Sequence, residues 1–477
     1  MSTETSSPPE QGQLRANTIG LPGVLFQSIT TMAPASAVAF SLGAAIPFTG
    51  SALPLAVIIA LIVCCFIALS IGSLAKYLPS AGGYFTYVSE SLGMPLGWLT
   101  GWMFDLAYLL IVPFQLLVLG PVADSFVGSV FNLHLGWPVW ALIFAAIVFG
   151  LTFFGIKISA DTGIVLGVIE IVVFTLLSIW LIATSNNNTL AVFNPASSLQ
   201  SGLGGWQGVF FGMIFVLLAF AGFESSAPLA EEARNPRRTV PRAIVLAAIC
   251  IGIFYVFCSY AGVVGWGPAK IGAYSGDPDP WGTMATRVWG PFHIIVILAI
   301  LNSALGNANA GVNAASRMLY AMGRTRSLPP ILAHLNKASV PDVAIIFTTI
   351  VAVIFSLLPG FAYGTTTGFA FLGAVLTLPI ILVYLATCIS VPFFYLRRHR
   401  EEFNVLRHVI VPGIPFLILL VVLYFQFSPL PAAPLNLAGP IVGIWLLIGI
   451  AIIFLQTRRS PDALQASSKA YVEDAEI

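Results

Sequence analysis

Residues 219–242 read AFAGFESSAPLAEEARNPRRTVPR, from Ala219 to Arg242. An apolar run meets Gly222 and then Glu224, passes Pro228, and leaves through Arg234, Arg237, Arg238 and Arg242. A lipid-facing helix has no use for a glycine and an acid at mid-depth, because hydrocarbon satisfies neither free backbone groups nor a charge. The stretch therefore reads as a broken helix whose freed backbone groups and one carboxylate meet a bound solute.

The rest of the chain supplies the membrane around it. Of 477 residues, 58% are hydrophobic and only 8% charged, against roughly 25% charged in soluble domains. A formal net charge of +1 argues against a nucleic-acid partner. All five cysteines (Cys64, Cys65, Cys250, Cys258, Cys388) lie in apolar runs with no metal-binding spacing, so neither a disulfide framework nor a metal is expected. The opening MSTETSSPPEQGQ lacks the basic-then-apolar pattern of a cleavable signal and reads as a disordered polar tail.

A spanning helix needs about 20 apolar residues. Twelve stretches qualify: 24–48, 52–75, 96–122, 137–154, 162–184, 207–232, 241–266, 291–322, 343–360, 368–396, 408–427 and 438–456. An even number returns both termini to one side. With that side cytoplasmic, only Lys270 and Arg287 of the 20 Lys and Arg residues fall in outer loops, as the positive-inside rule requires. The expected location is the cell membrane, plasma or inner, with both termini cytoplasmic. Residues 267–290 are expected to form a long outer cover. Residues 79–94 are amphipathic and are expected along the inner interface.

The first span carries a second break: Thr30-Thr31-Met32-Ala33-Pro34-Ala35-Ser36 sets a proline among small and hydroxyl residues. Proline removes one helical N–H bond and blocks the carbonyl four residues earlier. Freed N–H groups at a half-helix N-terminus suit a carboxylate, and freed carbonyls suit an ammonium or cation. The two breaks sit five spans apart and so cross the membrane in opposite directions. This pattern predicts an all-α polytopic membrane protein with a 5+5 inverted repeat. The expected division is a tail at 1–20, a first repeat at 21–184, an inverted repeat at 206–396, two added helices at 408–456, and a tail at 457–477.

Three ordered signatures carry a family resemblance over nearly the whole chain. Residues 219–242 are similar to the sixth helix of the amino acid–polyamine–organocation (APC) permeases. Pro79 to Tyr84, continuing through Gly93 and Gly97-Trp98, resembles their P-x-x-G-G-x-Y signature. Asn313 to Arg324, followed by Leu328-Pro329, resembles their eighth-helix exit. The resemblance implies the leucine-transporter-type fold and secondary transport by alternating access. It implies substrate contacts from Thr31, Met32, Ala33, Pro34 and Ser36 in the first span, and from Ala221 and Gly222 in the sixth. Phe220 would lie over the substrate as a gate, with Phe223 nearby. Two departures stand out. T-M-A-P-A replaces the usual glycine-rich core of the first break, and a lysine common in the fifth helix falls here on Glu170.

Three acids lie deep in the apolar spans: Asp105, Glu170 and Glu224. Each costs roughly 2.5–3.5 kcal/mol to insert at mid-bilayer, and no Lys or Arg lies at comparable depth. They are the candidate proton or cation-coupling groups, and Asp105 could instead cap Tyr108. In the eighth span Asn302, Gly306, Asn309, Asn313 and Arg317 recur at helical spacing, a polar stripe expected to line the site. Glu231 and Glu232 are expected to pair with the arginines of 234–242 in a network or gate.

The combined expectation is a symporter importing an amino acid or small amine, with the proton as driving ion and no cofactor. The alternatives are a polyamine or ethanolamine carrier, an exchanger without proton coupling, or a nutrient receptor without flux. No nucleophile–base pair points to an enzyme. The expected partners are the small-molecule substrate and the lipid bilayer; the residues carry no signal for oligomeric state.

Overall fold

In the computed structural model, residues 18–459 are described except 81, 155, 199–204, 275, 276, 278, 325–327 and 429. The expected tails at 1–17 and 460–477, the expected inner-side residue Arg326 and the side chain of Lys157 lie outside the described residues. The described chain is helical, and its only β pairing is an isolated bridge between Ile19 and Ala233. Nine of its segments are long and apolar enough to cross a membrane, with two shorter apolar helices at Trp137–Phe153 and Trp206–Phe220. Leu, Ile and Phe side chains cover their outer faces, as a surface solvated by lipid requires.

The first span is two helices. α1 (Leu21–Thr31) ends where Pro34 withdraws its N–H, and α2 (34–49) starts from Ala33 in the left-handed region at φ +49°. The Thr30 carbonyl, blocked by the Pro34 ring from a helical donor, accepts from Ala33 N–H instead at 3.1 Å. α3 (Leu53–Ala75) returns across the core.

Residues 79–94 differ from expectation. α4 (Tyr84–Leu92) buries Tyr84, Phe85, Thr86, Tyr87 and Val88 among its neighbours instead of lying along a surface. Its polar positions made it look interfacial, yet Thr86 and Ser80 satisfy each other at 2.7 Å inside the protein. α5 (Met94–Phe131) is the central pillar, followed by α6 (Trp137–Phe153) and α7 (Ile156–Thr184).

The sixth span is also broken. Helix α8 (Trp206–Phe220) stops at 15 residues, about 22 Å at 1.5 Å per residue and short of a roughly 30 Å core. Gly222 takes φ +118°, and residues 221–232 continue as successive turns around a short 3-10 segment, Ala227–Leu229. Beyond it run α9 (Pro236–Trp266), α10 (Pro280–Trp289), α11 (Ile294–Arg324), α12 (Asp342–Tyr363), α13 (Thr365–Arg398), α14 (Val411–Phe427) and α15 (Ala438–Arg459). The expected outer cover at 267–290 is partly helical, with Tyr274 and Trp281 buried.

α15 is locked to α5 by two tryptophans that exchange bonds. Trp102 Nε1 donates to the Trp445 carbonyl at 2.8 Å and Trp445 Nε1 to the Trp102 carbonyl at 3.0 Å, with rings stacked 4.1 Å apart.

Candidate functional site

The two breaks touch. A Cβ placed on Gly222 would lie 2.8 Å from the carbonyl carbon, oxygen and Cγ2 of Thr31, so only glycine lets the chain segments approach this closely. Ser225 Oγ bonds Thr31 Oγ1 at 2.7 Å, and Thr31 Oγ1 donates to the Gln27 carbonyl at 2.7 Å. The Tyr255 hydroxyl of α9 bridges both breaks, 2.5 Å from the Met32 carbonyl and 3.0 Å from the Ala219 carbonyl. Asn307 Nδ2 of α11 donates to the Thr31 carbonyl. Ser36 N–H donates to Ser303 Oγ at 3.0 Å, and Ser36 Oγ to Gln115 Oε1 at 3.3 Å.

Thr31, Met32, Ala33, Pro34 and Ser36 are all buried at this centre, as are Phe220, Gly222 and Phe223, with Ala221 half-buried. The Phe220 ring packs edge-on against Tyr255 at 5.3 Å, while Phe223 lies 5.6 Å from Tyr384.

The three acids occupy three different environments. Both oxygens of Glu224 are engaged: Tyr108 Oη donates to Oε1 at 2.8 Å and Gly222 N–H to Oε2 at 3.1 Å. The carboxylate thus accepts the backbone donor freed by the break and ties it to α5. Glu170 comes up to Ala35 and Ser303 at the first break, and its Oε2 is buried without a partner. Asp105 is 1% exposed and neither oxygen has a partner. The alternative in which Asp105 caps Tyr108 is not met, because the Tyr108 hydroxyl is committed to Glu224.

Along the α11 stripe, Gly306 lies beside Thr30, Asn309 and Asn313 are buried, and Asn302 is half-buried. Ser303 and Asn307, which the spacing argument did not select, also contact the first break. Glu231 and Glu232 pair across to α11. Glu232 Oε1 lies 2.5 Å from Arg317 Nε with both side chains 2% exposed, and Glu231 lies 3.1 Å from Arg324. Beside this pair, Thr18 and Ile19 N–H donate to the Glu232 carbonyl at 2.9 and 3.0 Å, and Arg234 N–H to the Ile19 carbonyl at 2.8 Å. One face of the site is therefore shut by an ion pair and a strip of backbone bonds.

Toward the other end of α11 the protein is hollow. A cavity of about 320 Å³ opens between Phe40, Leu117, Ile300 and Phe369, with Asp279 and Thr366 as polar points on its wall. Its size falls at the lower end for small-molecule sites. Phe369 stacks on Phe114 at 4.0 Å and lies 5.9 Å from Phe40. Phe40 is one turn beyond Ser36, and Phe114 precedes Gln115, so three rings from α2, α5 and α13 form a layer between cavity and break. Sequence reasoning missed this layer. Among the described residues no cluster of His, Cys, Asp or Glu could hold a metal.

Helix breaks in contact at mid-depth, shut on one face and hollow toward the other, define the class: a multi-pass membrane permease. The chain belongs to the amino acid permease family, whose pattern it matches over residues 23–463. It is 26% identical to the branched-chain amino acid permease BcaP of Lactococcus lactis subsp. cremoris, covering 86% of this chain and 88% of that protein. It is 26% identical to the L-asparagine permease of Escherichia coli, covering 85% and 83% respectively. The lysine-specific permease LysP of L. lactis is 27% identical over 61% of this chain and 59% of its own. These relatives are permeases and not enzymes, as is this chain.

Proposed function

We propose that the chain imports an α-amino acid across the cell membrane by alternating access, driven by protons. The observation that carries this is the pair of touching breaks, α1/α2 and α8, placed between a closed face and a hollow one. Branched-chain, asparagine and lysine permeases differ in the side chain their names specify; their substrates share an α-ammonium and an α-carboxylate. The free backbone groups of a helix break suit those two charges.

In this reading the chain has twelve spans in a 5+5 inverted repeat, α1 to α7 forming one half and α8 to α13 the other, with α14 and α15 added. The termini are cytoplasmic, so the Glu232–Arg317 pair closes the inner face. The substrate sits between Thr31–Ser36 and Phe220–Phe223, and Asn302, Asn309 and Asn313 line the α11 side. Glu224, Glu170 and Asp105 are the candidates for exchanging protons. A ligand shifts the two-state equilibrium only by its difference in affinity for the two states. A coupling acid must therefore change partners as the site opens.

Uptake into proteoliposomes with an imposed inward proton gradient tests this. Gradient-driven accumulation of a labelled amino acid is expected. Uptake only against preloaded substrate would replace symport with exchange, and saturable binding without flux would replace transport with reception.

A further inference from the structure

Two arginines of the 234–242 cluster lack the carboxylates expected beside them. Glu232 takes Arg317 of α11 and Glu231 takes Arg324. Among the described residues the side chains of Arg238 and Arg242 pair with nothing, and both are exposed. Four residues apart, they share one face of α9. That face continues through Leu246, Ile249 and Ile253, all exposed. An apolar column that ends in two free guanidiniums marks a lipid-facing helix at the depth of the headgroups.

α3 lies against α9 and runs the other way. A Cβ on Gly72 would lie 3.5 Å from Pro241, and Leu61 packs on Gly252. Contacts thus descend α3 as they ascend α9, so one turn past Gly72 Lys76 stands level with Arg237 and Arg238. Ile62 and Leu69 of α3 are exposed. Each exposed column sits about a quarter turn from its own contact residues. Seen from one end, antiparallel helices wind in opposite senses, so that offset carries both columns to the same side. The two helices therefore frame one groove with apolar walls and a basic foot. Lys76, at its rim, lies 2.8 Å from the Tyr77 hydroxyl and 3.6 Å from Glu402. Glu402 is the only acid paired with any of the three basic groups among the described residues. An acidic protein segment would meet the foot alone, whereas the walls above it lie at the depth of lipid chains.

We propose that the groove between α3 and α9 is the seat of one anionic phospholipid of the cytoplasmic leaflet. Its phosphate lies on Arg238 and Arg242, whose planar guanidiniums suit phosphate oxygens in pairs. Lys76 stands at the rim, and an acyl chain runs along Leu69, Ile62 and Ile249. A zwitterionic headgroup brings its own cation to the same foot and is held less well. The choice of leaflet rests on the cytoplasmic termini of the transport reading; the seat itself does not.

The test is native mass spectrometry of the purified full-length protein in detergent, titrated with phosphatidylglycerol and with phosphatidylcholine of identical chains. Wild type is expected to hold one phosphatidylglycerol at least tenfold more tightly than phosphatidylcholine. Each basic group at a membrane surface is worth about fivefold toward anionic lipid. Arg238→Gln with Arg242→Gln should therefore weaken phosphatidylglycerol at least tenfold and leave phosphatidylcholine within twofold. Lys337→Gln with Arg400→Gln removes two exposed charges elsewhere and should leave both lipids within twofold. Arg238→Lys with Arg242→Lys keeps the charge and should stay within about fivefold of wild type, which separates lost charge from a folding defect. Glycerol phosphate, a headgroup without chains, should not displace the lipid at millimolar concentration. An equal fall in both double Gln variants would overturn the proposal, leaving diffuse attraction and no seat. Phosphatidylglycerol held no better than phosphatidylcholine, or displaced by glycerol phosphate, would overturn it as well. Binding in detergent has no sidedness, so these results are distinct from a failure of the transport reading, which uptake measures.

Discussion

Removing the charge of Glu232 tests how the closed face is held. Arg317 Nε lies 2.5 Å from Glu232 Oε1 and Nη2 lies 3.5 Å from Oε2, with both side chains 2% exposed. Deleting one partner of a buried pair leaves the other uncompensated, at a cost of about 3–5 kcal/mol. Arg317 Nη1 keeps its bonds to the Asn313 carbonyl and Oδ1, at 2.8 and 3.2 Å, so the low end applies to Glu232→Gln. The whole cost falls on the closed state, because the pair joins α11 to the segment after α8 and those must part for the face to open. About 3 kcal/mol is roughly 150-fold in an equilibrium, enough to take a carrier resting at about 99:1 closed to roughly 40:60.

The readout is a cysteine at Ala233, 2% exposed at the backbone bridge, in a background lacking the accessible Cys65 and Cys250. Maleimide labelling is expected to be slow in the parent and at least tenfold faster with Glu232→Gln. Arg317→Gln should do the same, and the double variant should match either single change instead of their sum. Labelling unchanged within twofold at unchanged Tm would refute the reasoning. A fallen Tm with unchanged labelling would make the pair a fold-holding contact and not a closure.

Gly222→Ala places a Cβ 2.8 Å from Thr31 at φ +118°; transport should fall at least tenfold, whereas Gly413→Ala, with nothing within 4 Å, should leave it unchanged. Tyr108→Phe deprives the buried Glu224 of its 2.8 Å donor and should cost about 1.5–3 kcal/mol, read as a lower Tm. If Glu224 exchanges protons, Glu224→Gln should flatten the pH profile of uptake between about pH 5 and 8; an unaltered profile sinks that role. Outside the spans, the Tyr77 hydroxyl donating to Glu402, with Lys76 beside it, holds the Glu402 carboxyl below its ordinary 4.5. An acid depressed on folding contributes stability above its unfolded value and loses it as pH falls through the folded one. The Tm difference between wild type and Glu402→Gln should therefore be present at neutral pH and close in acid; a constant difference down to about pH 3 would contradict it.

The breaks were legible because each sets residues that lipid cannot accommodate, Gly222 with Glu224 and Pro34 among hydroxyls, inside runs that are otherwise apolar. The contacts α11 makes with the first break were not. Asn302, Ser303, Asn307, Asn309 and Asn313 crowd two adjacent columns of one helix, and only packing against α1 and α2 decides that Ser303 and Asn307 make the contacts. The layer of Phe40, Phe114 and Phe369 was invisible for another reason. The chain has 35 phenylalanines, and nothing local marks three of them on separate helices as neighbours. Phe220 was assigned by its position at a break, and what its ring packs against depends on available space. Gly252 and Tyr255 of α9 supply that space: a Cβ on Gly252 would lie 3.0 Å from the Phe220 ring.

The sequence singled out Glu224 among the three buried acids, and their surroundings differ. Asp105 has no partner to lose on either oxygen. Glu224 binds Tyr108 of α5 and the backbone of its own break, so it reports movement of one segment against the central pillar. Glu170, from α7, is 1% exposed and keeps Oε2 buried without a partner. Only a difference in interaction between states can transmit energy from a ligand to a conformational change. Of the three acids, Glu224 is the one with hydrogen bonds both to another element and to a break, so it has the most to exchange if the broken segment moves against α5.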